Sequence, residues 1–135
     1  MPVLALHHAQ VFYPAGEEAR ARRFYYAAAK PSRGASSAYG AQLGLREIER
    51  PRSLQGQAGL WFEVPGGAHV HLAVEPDLAL HPRRHFALRV DDVARMRREL
   101  KTGRCYYAAA KRSRGASSAY VFDPFGNKIE LDQIP

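Results

Sequence analysis

Four side chains have the types and the placement to hold a divalent transition metal: His8, His71, His85 and Glu130. Two neutral imidazoles and a carboxylate already make such a site, and a third imidazole improves it. Each of the four falls in a short stretch that reads as an alternating strand. Each lies on the polar phase, opposite a row of apolar side chains. Two belong to the first half of the chain and two to the second. That layout points to a metal held between two repeated modules, and so to chemistry on a small molecule.

The elements that must position these residues can be read along the chain. Leu4 to Tyr13 (LALHHAQVFY) is the first strand, broken by Pro14-Ala15-Gly16. Glu17 to Tyr25 (EEARARRFY) follows as a helix with acidic residues in its first turn, the end its dipole favours. Gly40 to Glu49 reads as a turn into a second strand, Gly59 to Val64 as a third and His69 to Glu75 as a fourth. Pro65-Gly66-Gly67 is the tight turn between the last two. The pattern then restarts. Arg84 to Val90 is a strand, Asp91 a candidate N-cap, and Asp92 to Leu100 a helix carrying Val93, Met96 and Leu100 at helical spacing, ended by Thr102-Gly103. Tyr120 to Phe122 and Lys128 to Asp132 frame Asp123-Pro124-Phe125-Gly126-Asn127, the turn of a closing hairpin. The order describes a single α+β domain of two pseudo-equivalent halves, about residues 1–77 and about residues 82–135.

Strand alternation sorts the side chains by face. His8, Gln10 and Phe12 share one face of the first strand, while His7 goes with Ala9, Val11 and Tyr13. His69, His71, Ala73 and Glu75 oppose Val70, Leu72 and Val74. His85, Ala87 and Arg89 oppose Phe86, Leu88 and Val90; Lys128, Glu130 and Asp132 oppose Ile129 and Leu131. The apolar faces need helices packed on them, which leaves the polar faces to line a concave sheet suited to a metal and a polar substrate. Gln10, Glu75 and Arg89 are candidates to orient that substrate, Arg89 by pairing with a carboxylate. Trp61 is a candidate to stack on it.

A near-identical repeat interrupts the pattern. Residues 23–39 read RFYYAAAKPSRGASSAY and residues 104–120 read RCYYAAAKRSRGASSAY, differing only at Phe24/Cys105 and Pro31/Arg112. Old structural repeats drift in sequence, so near identity marks a recent duplication, an engineered graft or an artefact of the sequence. The two copies hold seven Lys and Arg and no acidic residue, which is the whole of the net charge of +7. A basic segment interleaved with Tyr can contact phosphates, but these stretches are Ser- and Gly-rich and read as solvated loops. Nucleic acid is therefore not the expected partner. At 135 residues the chain can bury a real core, and its apolar runs are too short to cross a bilayer. The opening MPVLALHHAQ lacks the features of a secretory signal. The single cysteine, Cys105, allows no internal disulfide, which makes the cytoplasm the expected location.

Four stretches, LHHAQVFYP with EEARARRFY after it, VHLAVEP, HFALRVDDV and VFDPFGNKIELDQI, resemble in order and spacing the vicinal oxygen chelate superfamily. That superfamily includes glyoxalase I, fosfomycin-resistance proteins, extradiol dioxygenases and bleomycin-resistance proteins. The last stretch is most like its closing signature, an Asp-Pro-x-Gly turn followed by a strand bearing a glutamate. The resemblance covers nearly all the chain outside the two repeat copies. It implies two βαβββ modules forming an open, cupped mixed sheet, usually completed as a homodimer. It also implies a metal on the opening and closing strands of each module, positions that fall here on His8, His71, His85 and Glu130. Glyoxalase I enzymes commonly have a carboxylate at the second position, so His71 makes a more positive centre. The trio His8, His85 and Glu130 also resembles the two-histidine, one-carboxylate set of Fe(II) extradiol enzymes. Family members usually run from the equivalent of RFY straight into that of GAQLGLREI. The first copy thus looks like an insertion over Tyr26 to Tyr39, and the second like a replacement for a strand and loop.

What the resemblance implies is a metal-dependent lyase or isomerase of the glyoxalase type, acting on a small molecule chelated through adjacent oxygens. One divalent ion (Zn, Ni, Mn, Co or Fe) would serve as Lewis acid, with Glu130 the candidate base. The alternatives are an Fe(II) extradiol-type dioxygenase and a non-enzymatic protein that sequesters a small molecule such as an antibiotic.

Overall fold

The computed structural model describes residues 2–26, 43–96, 107–110 and 117–133. Among them are eight strands: β1 (His8–Tyr13), β2 (Arg46–Ile48), β3 (Gly59–Glu63), β4 (His69–Val74), β5 (His85–Arg89), β6 (Tyr107–Ala110), β7 (Ser117–Phe122) and β8 (Lys128–Gln133). A helix, α1 (Glu18–Tyr25), lies between β1 and β2, and residues 93–96 begin another between β5 and β6. The strands form two four-stranded sheets, ordered β1-β4-β3-β2 and β5-β8-β7-β6. In each, the opening strand pairs parallel with the closing strand and the remaining pairs are antiparallel. The chain is therefore one mixed α+β plan used twice, as the alternation of apolar residues predicts.

Burial follows that alternation. Along β1, Ala9, Val11 and Tyr13 turn inward while His8, Gln10 and Phe12 stay exposed. Ala21, Phe24 and Tyr25 bury one side of α1, with Glu18 in its first turn and Arg22 and Arg23 in its last, as the helix dipole favours. Tyr13, Tyr25, Phe62 and Leu72 of the first module share a single core with Val121, Phe125, Ile129 and Leu131 of the second. Polar contacts tie the modules as well. The Tyr25 hydroxyl donates to the Asp123 carboxylate at 2.5 Å, and the Asn127 side-chain amide donates to the Phe12 carbonyl at 2.8 Å. Asp123 also accepts the backbone N–H groups of Phe125 and Asn127 at 3.0 and 2.8 Å, the side-chain-to-backbone bonding that makes Asp a turn former. Gly126 completes the turn at φ +91°, where a Cβ is disfavoured.

Some boundaries differ from the sequence expectation, each for a physical reason. β1 begins at His8 rather than Leu4. Its partner β4 starts at His69, directly after the Gly66-Gly67 turn, so earlier residues have only the His69 N–H to His7 carbonyl bond to extend the ladder. Val3, Leu4 and Leu6 are exposed. The second strand shortens to Arg46–Ile48, and residues 40–42 of the expected segment lie outside those described. The N-cap is Asp92, not Asp91. Its carboxylate accepts the N–H of Arg95 at 2.9 Å, the reach of an N-cap side chain. Asp91 instead pairs with the Arg95 guanidinium at 3.2 Å. Residues 97–100 of the expected helix and its Thr102-Gly103 stop lie outside the described residues.

The repeat copies take different parts in the fold. The second, read from sequence as an intrusion, supplies β6 and the start of β7, so its two ends are strands of the second sheet. In the first copy, Phe24 and Tyr25 belong to the core. The chain leaves α1 at Tyr26 and has returned by Leu43, whose N–H bonds the Phe24 carbonyl at 2.8 Å; Tyr26 then bridges to Leu45. Ends that sit side by side are what an insertion after the helix requires. Residues 27–42, 104–106 and 111–116, Cys105 among them, lie outside the described residues.

Candidate metal and substrate site

The two sheets place the four expected ligands at equivalent points. His8 and His85 are the first residues of their opening strands, and His71 and Glu130 the third residues of their closing strands. The register repeats too. His8 is level with His69 and His71 with Gln10, just as His85 is level with Lys128 and Glu130 with Ala87. The antiparallel neighbour adds an aromatic ring in each sheet, Trp61 beside His71 and Tyr120 beside Glu130. Residues directly opposite one another share a face, so each sheet presents one ligand pair flanked by one aromatic side chain.

In the second module, His85 Nε2 lies 3.1 Å from Glu130 Oε2. The other ring nitrogen, Nδ1, is 2.9 Å from the Arg83 carbonyl. A carbonyl can only accept, so Nδ1 carries the proton, and in a neutral ring Nε2 then turns a lone pair toward a carboxylate that also only accepts. A proton or a cation has to fill that gap. The separation of 3.1 Å is what two adjacent donors have around an ion bonded to each at about 2.1 Å. The Ser118 hydroxyl donates to Glu130 Oε1 at 3.2 Å and orients the carboxylate, which is buried. A backbone carbonyl on the far nitrogen of the histidine and a hydroxyl on the carboxylate are typical supports of metal ligands.

The first-module pair is arranged differently. The His71 ring is stacked between Trp61, at 3.8 Å and 3°, and His8, at 4.1 Å and 18°. Burial, and then the neighbouring imidazoles of His8, His69 and His7, hold its pKa down to about 4, so it is neutral near pH 7, the form that binds metals. Stacked rings keep their lone pairs in nearly parallel planes. His8 and His71 can serve one ion only if a ring turns, and His8 is exposed enough to do so. His71 Nε2 is 3.2 Å from His69 Nδ1, and His8 Nδ1 is 2.9 Å from His7 Nδ1. His7, expected on the opposite face, belongs to this cluster, because it precedes β1 and strand alternation does not govern it.

The chain thus gathers the four expected ligands as two pairs. Among the described residues, no three His, Cys, Asp or Glu side chains form a group able to hold a metal. The donor types and the His85–Glu130 geometry fit a divalent ion, and a full set needs a first-module pair facing a second-module pair. Of the expected substrate residues, Gln10 lines a groove of about 300 Å3 with residues of β1, β5 and the segment between the modules. Trp61 borders a separate recess with Arg50, Arg52 and His69. Glu75 and Arg89 lie four residues beyond His71 and His85, roughly 13 Å along their strands. Ser118 and Tyr120 are not marked by the sequence; both sit in the repeat, and only cross-strand register brings them to Glu130, whereas Lys128 shares Glu130's strand and face. The Lys128 ammonium lies 4.1 Å from the centre of the Tyr120 ring, and that ring is edge-on to His85.

Comparison with known proteins agrees with this plan. The family model of the Glyoxalase/Bleomycin resistance protein/Dioxygenase superfamily matches residues 6–131. A solved structure from Bacillus anthracis, described as a glyoxalase family protein, is 27% identical, with a TM-score of 0.79 over 100% of this chain and 98% of that one. A glyoxalase/dioxygenase from Nostoc punctiforme shares the fold at 23% identity and a TM-score of 0.68, over 100% and 98% of the two chains. So does a lactoylglutathione lyase from Agrobacterium tumefaciens at 17% and 0.62, over 98% and 96%. No curated protein matches the chain. No helix among the described residues is long and apolar enough to cross a membrane. A duplicated βαβββ plan and a family match along nearly its whole length lead to one assignment: the chain belongs to the glyoxalase/bleomycin resistance protein/dioxygenase superfamily.

Proposed function

We propose that the chain is a metal-dependent lyase or isomerase of the glyoxalase type, acting on a small molecule through two adjacent oxygens. The observation that supports this best is the His85–Glu130 pair, in which Nε2 and a carboxylate oxygen face each other across 3.1 Å, a gap that a proton or a cation has to fill. With His8 and His71 they make a set of three imidazoles and one carboxylate for a single ion. The set is completed when a second copy of the chain brings its first-module pair to this second-module pair. A divalent ion held there supplies a Lewis acid for the substrate oxygens.

The chain's own residues do the remainder. Glu130, steadied at Oε1 by Ser118, is the base once Oε2 loosens from the ion, because a carboxylate bound to a cation is a weak base. It would take a proton from the carbon beside the substrate oxygens and return it to the neighbouring carbon. His71, kept neutral by its burial, contributes a lone pair without adding charge. Trp61 and Tyr120 flank the ligand pairs and keep water from them, and Gln10 orients the substrate by its amide.

The test is metal content per chain by elemental mass spectrometry, with oligomeric state by light scattering, on protein purified without chelator or affinity nickel. About one divalent ion per chain is expected, in a dimer, with most of it lost in Glu130→Gln and His85→Ala. The first substrate to try is the hemithioacetal of methylglyoxal and glutathione, because a lactoylglutathione lyase shares this fold. Failure to take up any ion would sink the metal-dependent reading and favour a small-molecule sequestering protein. Ring cleavage that needs Fe(II) and dioxygen would instead select the extradiol alternative.

A further inference from the structure

The groove that Gln10 lines runs between the opening strands of the two modules and has a volume of about 300 Å3. Phe12, Leu80 and Phe86 give it apolar surface, and its charged lining is entirely cationic, from Arg84 and Lys128. Among the described residues no Asp or Glu lines it. Lys128 is held by the Pro82 carbonyl at 3.3 Å and lies over the Tyr120 ring, and neither of these neutralises its charge. His81 also lines the groove. Its Nδ1 accepts the Arg83 backbone N–H at 3.1 Å, so in the neutral ring the proton sits on Nε2. Two cations lining a concave, partly apolar surface with no acidic neighbour in its lining attract an anion.

We propose that this groove binds the anionic end of a small organic molecule, a carboxylate or phosphonate carried on an apolar body. It is a substrate subsite next to the His85–Glu130 pair, since His85 borders both. The subsite role rests on the metal-dependent reading above, whereas the anion binding does not.

Chelator-treated protein titrated with phenylphosphonate, and in parallel with its neutral dimethyl ester, tests the binding by calorimetry. The phosphonate binds and the ester does not, and added salt weakens the binding. Arg84→Gln and Lys128→Gln each weaken it roughly tenfold or more, the worth of one charged hydrogen bond, and Lys128→Arg keeps most of it. Arg84 is exposed, so its variant folds and keeps the test decisive even where a Lys128 variant does not. Equal binding of the ester, unchanged affinity in Arg84→Gln, or no phosphonate binding would each overturn the proposal. The titration uses metal-free protein, so its failure leaves the metal-dependent reading standing, and failed metal uptake leaves the anion groove standing. The subsite role is read separately from Co(II)-loaded protein. Phenylphosphonate should perturb the visible spectrum of the ion, and a spectrum unchanged at saturation would refute that half.

Discussion

Removing one oxygen from the joint between the modules gives the sharpest check on how this fold is held. Tyr25 is fully buried, and its hydroxyl donates to the buried Asp123 carboxylate at 2.5 Å. Tyr25→Phe keeps the ring and its packing on Phe24 and Phe62 while deleting that bond. A hydrogen bond to a charged group is worth about 1.5–3 kcal/mol. Asp123 keeps three other donors, the N–H groups of Phe125 and Asn127 and the Asn127 amide, so the expected loss is about 2 kcal/mol. With an unfolding entropy of roughly 2.1 cal/mol/K per residue, this corresponds to a fall in Tm of roughly 7 °C for a chain of this length.

The sign of the pH dependence follows from Asp123. Burial lifts its pKa above 3.8, against the lowering effect of its hydrogen bonds, with Tyr25 foremost among them. A carboxyl with a raised folded pKa contributes stability that is full below the unfolded value and is lost as pH rises through the folded one. Removing Tyr25 raises the folded pKa further, because the anion loses a donor. The deficit of Tyr25→Phe should therefore be largest near pH 7 and should shrink on acidification toward about pH 4. Urea unfolding followed by far-UV circular dichroism across that range measures it. A deficit below about 0.5 kcal/mol near pH 7, or one that grows on acidification, would refute the account of this bond.

Other expectations are more local. Ser118→Ala should weaken divalent-ion affinity roughly 10- to 100-fold with little change in fold, as loss of a support to a ligating carboxylate does; competition with a chromophoric chelator reads this, and unchanged affinity counts against Ser118 as that support. In metal-free protein the lowered pKa of His71 makes stability fall as pH drops from 6.5 toward about 4, because the unfolded chain takes up the proton first. His71→Ala should flatten that part of the urea profile, and an unaltered slope would assign it to another group. Deleting residues 27–39 leaves a three-residue link between Tyr26 and Leu43 in place of sixteen, lowering the loop-closure cost by roughly 1.5 kcal/mol; loss of a cooperative melt would show that the segment is required. Gly126→Ala forces a left-handed residue, at about 1–2 kcal/mol, and its Cβ would come within 2.5 Å of Leu80 Cδ1. It should lower both the unfolding midpoint and the affinity of the groove for anions, and an unchanged midpoint would contradict the turn geometry.

The repeat shows how far local sequence reaches. YAAA occurs at 26–29 and again at 107–110, and the second occurrence is β6, paired with β7 along its length. Three of the four residues are Ala, which has little strand preference of its own, and pairing with a neighbouring strand makes the segment a strand. Sequence alone reads the copy as foreign to the pattern because pairing partners lie outside any local window. The same limit explains His7. Its face follows from where β1 starts, and that depends on where the parallel strand β4 starts its ladder.

The amino-acid order by itself determined which residues could be ligands and that they come in two pairs. Period-two alternation separates polar from apolar faces within each strand, and the Asp-Pro-Phe-Gly-Asn turn and the restart after Pro82 mark two like modules. All of that depends on neighbours along the chain. The tertiary structure alone decided how each pair is arranged. Parallel pairing with an offset of two residues sets His85 against Glu130 at 3.1 Å, while stacking between Trp61 and His8 makes His71 a neutral, buried ring. The cationic groove likewise exists only where β1 meets β5 and the linker, since Gln10, Arg84 and Lys128 are far apart in sequence. Distances across strands and the burial that shifts a pKa are properties of packing, and packing is a sum over partners that no stretch of the chain contains.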